Sequence, residues 1–89
     1  MPQLEAVMTT ANTPADEAIA HLTARGFTHN PHMNWYEHRW ARVAILDAEA
    51  ACFDVCVFTR DPYGLLAWRA QLTHAPLAIF AATVTAAID

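Results

Sequence analysis

The chain has 89 residues, a length that builds one domain (1–89) around one core, since domains typically run to about 100–150 residues. Hydrophobic residues make up 55% of it, which excludes a disordered chain, but 19 of them are alanine, so most of the buried area must come from the aromatic residues. The formal charge is −4, with five arginines and no lysine, which disfavours nucleic acid as a partner because such binding depends on neutralising phosphates.

In chain order, Met1 to Asn12 shows weak alternation at Leu4, Ala6 and Met8 and is left open between a short N-terminal strand and a loose arm. The first firm signal is Thr13-Pro14-Ala15-Asp16. Thr13 can cap a helix, Pro14 suits its first turn, and Asp16 and Glu17 place negative charge on the positive end of the helix dipole. Ala15, Ala18, Ile19 and Leu22 recur on one helical face, and Arg25 with Gly26 ends the segment. Phe27 to Asn34 reads as a loop, because Asn-Pro starts turns and neither period is present. A period of two then begins. It predicts three strands, from Trp35 or Arg39 to Asp47, from Ala51 to Arg60, and from Leu65 to Leu72. They are joined at 48–50 and by the turn Asp61-Pro62-Tyr63-Gly64, which has type I preferences. A second helix is predicted over Pro76 to Ile88, with Thr73, His74 or Ala75 as its cap and Leu77, Phe80, Val84 and Ile88 as its apolar stripe. Ile79 lies outside that stripe, which leaves apolar surface over for another chain.

The expected fold class is therefore α+β. Two helices pack on one face of a three-stranded antiparallel meander, in the order α-β-β-β-α. Register follows from the turn lengths, since a slip of one residue reverses every side chain. The second turn pairs Arg60 with Leu65, hence Val57 with Trp68, Val55 with Ala70 and Phe53 with Leu72. The first pairs Asp47 with Ala51, hence Ile45 with Phe53 and Val43 with Val55. Both hairpins put apolar residues on the same face, the one the helices should cover. The opposite face then carries Trp40 beside Phe58, and Arg42 and Arg69 on either side of Cys56. Aromatics next to arginines are enriched at binding hot spots, so Trp40, Arg42, Cys56, Phe58 and Arg69 are the expected partner-binding residues.

Other chemistries find little support. His29, His32 and His38 with Glu37 form the one cluster that could hold a metal, but Pro31 interrupts it and no second ligand pair accompanies it. Cys52 and Cys56 lie four apart in a strand, so their Cα atoms are about 13 Å apart at about 3.3 Å per residue, beyond the reach of a disulfide. They read as free thiols in a reducing compartment. With Gly26 and Gly64 as the only glycines, a phosphate-binding glycine loop is excluded. No catalytic residue, metal or cofactor is expected. No run is long enough to cross a membrane, and no basic segment followed by an apolar one opens the chain, so the expected location is cytoplasmic.

The segment Trp68-Arg69-Ala70-Gln71-Leu72, followed by Pro76 and an alanine-rich helix, resembles the end of a small actinobacterial domain of unknown function, the SPDY type. In that family a Trp-x-Ala-x-Phe strand leads into a Thr-Pro helix start. The match covers about the last quarter of the chain and departs from the pattern at Ala75, where the family has Thr. It implies a strand-to-helix order and an actinobacterial or mobile-element source, and brings no activity with it. The expected function is a small non-enzymatic protein-interaction module, with a phage or mobile element as candidate source. It would bind a protein partner, or itself as a homodimer, through the outer sheet face and the last helix. The alternative is a nucleic-acid-associated protein that stacks bases and contacts phosphates through Trp35, Tyr36, Arg39, Trp40 and Arg42. A small enzyme or metal protein ranks third.

Overall fold

Residues 13–60 and 63–89 are described by the computed structural model. The expectations for Met1 to Asn12, and for Asp61 and Pro62 of the second turn, lie outside the described residues. Helix α1 spans Pro14–Ala24 and closes with a reciprocal capping box. Asp16 N donates to Thr13 Oγ1 at 3.2 Å, and Thr13 N donates to Asp16 Oδ2 at 3.0 Å. Two of the amides that a helix start leaves without partners are satisfied this way. Gly26, at φ 96°, turns the chain out of the helix, and a Cβ there would lie 3.3 Å from the His38 ring.

Five strands follow, not three: β1 (Thr28–Asn30), β2 (Trp35–His38), β3 (Ala41–Asp47), β4 (Cys52–Phe58) and β5 (Leu66–Leu72). They form one antiparallel sheet in chain order. The segment expected to be a loop holds β1 and a hairpin turn. Asn30 Oδ1 accepts from His32 N at 3.0 Å and Met33 N at 3.2 Å, and Asn34 takes φ 57°, a value that asparagine tolerates. The strand expected to start at Trp35 or Arg39 is broken in two by a reversal at Arg39-Trp40, with Arg39 at φ 54°. Neither residue is a customary turn former, which is why the pattern concealed this hairpin.

The predicted register holds at Val43↔Val55, Ile45↔Phe53, Phe53↔Leu72, Val55↔Ala70 and Val57↔Trp68. It fails at both turns. Asp47 pairs with Cys52 rather than Ala51, so the turn is one residue longer than expected and the ladder shifts between Ile45 and Asp47; inside the turn Asp47 Oδ1 accepts from Glu49 N and Ala50 N, each at 3.1 Å. At the other end Phe58 pairs with Leu66, so a bulge separates it from the Val57↔Trp68 pair.

Helix α2 covers Leu77–Ile88, with Pro76 as its cap rather than its first turn. Ala18 and Leu22 of α1 and Phe80 and Val84 of α2 share one buried cluster with Ala41, Val43, Phe53 and Val55, so both helices lie on the predicted face. The Arg25 guanidinium donates to Thr85 Oγ1 at 2.9 Å and ties the helices together. Ile45, Val57, Leu72 and Ile88 are partly buried against this cluster, and two expected core residues are exposed. Trp68 lies on the helix side but is 37% exposed, because β5 is the sheet edge, and Leu77 of the predicted stripe is exposed as well.

Candidate functional site

Both helices lie on one face, so no described helix covers the other. Alternation along β2 to β5 places Trp35, Glu37, Arg42, Asp54, Cys56, Phe58 and Arg69 there. The pairs Thr28↔Glu37, Glu37↔Arg42, Arg42↔Cys56 and Cys56↔Arg69 form one row across all five strands. The predicted neighbours Trp40 and Phe58 are joined by a backbone hydrogen bond from Phe58 N to Trp40 O at 2.9 Å.

Glu37 organises this face. Its Oε1 accepts from Trp35 Nε1 at 2.8 Å and Asn30 Nδ2 at 3.3 Å, and lies 3.7 Å from Arg42 Nε. The indole and amide donors, helped by the Arg42 charge, hold the Glu37 carboxyl below its ordinary range against a smaller opposing effect of desolvation. Arg42 is fixed from several sides. Its Nη1 donates to the carbonyls of Arg39 at 2.8 Å and Ala41 at 2.9 Å, and its guanidinium carbon lies 5.8 Å from the centre of the Trp35 ring and 5.9 Å from that of Phe58. These distances fall within cation–π range. Trp35, Trp40, Arg42, Phe58 and Gly64 line a shallow open pocket, and Trp40 at its rim is 39% exposed.

The predicted set divides in two. Trp40, Arg42 and Phe58 come together. Arg69 turns instead to Asp54, with Nε and Oδ1 2.8 Å apart. Hydrogen bonding and charge from Asp54 raise the Arg69 pKa further. Half-buried Cys56 lies beside that pair. Desolvation first, then the Asp54 carboxylate, pushes its thiol up, with Arg69 opposing, so it is held in the protonated form. The expected partner-binding set omitted Trp35, which entered only the nucleic-acid alternative, and Glu37, which entered only the candidate metal cluster. The signal was present in the alternation Trp35, Glu37, but it could be read only once the Arg39-Trp40 reversal set Glu37 opposite Arg42.

Tyr36 and the histidines go elsewhere. Tyr36 packs against the core on the helix side, away from Trp35, so the aromatic and arginine residues of the nucleic-acid alternative do not share one face. The His29 ring lies against Tyr36 at 4.8 Å and the His38 ring against Phe27 at 5.4 Å. Both belong to the face opposite Glu37. Among the described residues no three His, Cys, Asp or Glu side chains converge, and no described helix is long and apolar enough to cross a membrane. Comparison with protein-family models, curated proteins and solved structures finds no match.

Proposed function

We propose that the protein is a small non-enzymatic interaction module of the cytoplasm that binds a protein partner through the outer sheet face. The observation that carries this reading is the exposed Trp40 indole beside Phe58 and a guanidinium already fixed between Trp35 and Phe58. Tryptophan and arginine dominate binding hot spots, and a side chain ordered before binding loses less entropy on contact. The exposed Ile79 and Leu77 of α2 offer a second, smaller apolar area. Nucleic-acid contact is the weaker reading, because Arg42 Nη1 and Nε are already engaged within the chain and the net charge is −4.

The test compares Trp40→Glu with Val55→Asp. Trp40→Glu leaves the circular dichroism spectrum and melting transition near wild type but removes the partner from pull-downs analysed by mass spectrometry, because a charge enters a desolvated contact. Val55→Asp buries a charge at a fully enclosed position and unfolds the chain. Unchanged capture by folded Trp40→Glu, or unfolding as complete as that of Val55→Asp, overturns the assignment.

A further inference from the structure

The two edges of the sheet are unequal. Strand β1 has three residues and can pair with little, whereas β5 has seven, Leu66–Leu72. Natural edges are usually blunted by lysine, proline, shortness or a covering element. Strand β5 contains no lysine or proline, its arginine is paired with Asp54, its bulge is confined to the Leu66–Trp68 end, and among the described residues none pairs with its outer side.

The hydrogen-bonding direction of this edge follows from two contacts. Phe58 N donates to Trp40 O, so Phe58 directs its amide toward β3, whereas Thr59 N donates to Leu65 O. By alternation Phe53, Val55 and Val57 direct their backbone groups toward β5, and their partners Leu72, Ala70 and Trp68 direct theirs toward β4. The N–H and C=O of Arg69 and Gln71 therefore point outward, unpaired within the described sheet.

We propose that β5 pairs antiparallel with β5 of a second copy of this chain, with Ala70 on the two-fold axis. Antiparallel neighbours directly opposite one another share a face, so a symmetric register is centred on a residue, and within Leu66–Leu72 only those centred on Trp68, Arg69 or Ala70 pair about five residues or more of each strand. Centring on Arg69 sets two arginines directly opposite each other, which is unfavourable. Centring on Trp68 requires pairing through the bulged Leu66–Trp68 segment. Centring on Ala70 avoids both. Arg69 then opposes Gln71 of the second copy, and the outward groups of these residues form four backbone hydrogen bonds. On the helix side the partly exposed Trp68 meets half-buried Leu72 of the second copy, at two equivalent places. Polar residues thus meet polar ones on the outer side, and apolar residues meet apolar ones on the helix side. A contact of one short strand falls at the small end of specific interfaces, below about 1,200 Å², so the dimer is reversible and depends on concentration. This interface is separate from the Trp40 surface and does not rest on the proposed function.

Sedimentation of the full chain over a wide range of concentration tests the dimer. Gln71→Pro removes two of the four hydrogen bonds while leaving the β4 ladder intact, since proline is tolerated where an edge amide points outward. It weakens association at least about tenfold, with an unchanged circular dichroism spectrum. A cross-link provides a readout that does not depend on that variant. In a Cys52→Ala, Cys56→Ala background, Ala70→Cys places two thiols across a non-hydrogen-bonded pair, about 4.5 Å apart at Cα, within disulfide reach. Oxidised glutathione then yields a covalent dimer from Ala70→Cys and none from Arg69→Cys. The cross-link persists when Trp40→Glu is added, which separates this contact from the outer face. A monomer at every concentration, or cross-linking through Arg69→Cys instead, overturns the proposal.

Discussion

Replacing Phe80 by alanine tests where the core lies. Phe80 is completely enclosed, with its ring 4.5 Å from that of Phe53 at 48° and 6.1 Å from that of His21. Phe→Ala at such a site costs about 3–5 kcal/mol. The low end applies, because the new cavity can admit water to His21 Nε2, which is buried with no hydrogen-bond partner among the described residues, and because alanine improves helix propensity by a few tenths of a kcal/mol. A chain of 89 residues has a total stability of roughly 4–13 kcal/mol, so this loss is a large fraction of it. At about 4–8 °C per kcal/mol, the melting temperature falls by roughly 12–24 °C for a 3 kcal/mol loss. The matched control is the adjacent Ile79→Ala, at a residue 52% exposed, where the burial lost is about half that of a core isoleucine and the propensity gain partly offsets it, leaving less than about 1 kcal/mol. Urea and thermal denaturation followed by circular dichroism measure both. If the two substitutions cost the same, the buried face of α2 has been assigned wrongly, and the placement of both helices on one side of the sheet goes with it.

Two further predictions concern charge on the outer face. Because the folded pKa of Glu37 is depressed, its contribution to stability is fully present above the unfolded carboxylate value of about 4.3 and is lost as pH falls through the folded value. The melting-temperature difference between wild type and Glu37→Gln should therefore shrink from pH 6 toward pH 3, and a constant difference would remove Glu37 from its organising role. The raised pKa of Cys56 predicts slow alkylation near neutral pH, faster in Asp54→Asn, where the opposing carboxylate is gone and the Arg69 charge acts alone. Peptide mapping after timed iodoacetamide treatment resolves Cys56 from Cys52, and an unchanged rate would show that burial alone sets the thiol.

The sequence alone determined the elements whose chemistry is local. Thr13-Pro14-Ala15-Asp16 specified the start of α1, because a capping box needs only residues three apart. The register of β3, β4 and β5 followed from period-two alternation, which allows one face to be buried and no other. That placed Trp40 beside Phe58, and Arg42 and Arg69 on either side of Cys56, ahead of any coordinates. Tertiary structure decided the rest. The Arg39-Trp40 reversal has no glycine or asparagine to announce it, and its left-handed φ at Arg39 is sustained by the strands it joins. With it came β1 and β2, and with β2 came Glu37, whose role depends on donors from Asn30, Trp35 and Arg42 converging from three strands or strand ends. The exposure of Trp68 was equally out of reach of pattern. Alternation says which face a side chain takes, but only the finite width of two helices laid on five strands decides how far across that face the cover extends.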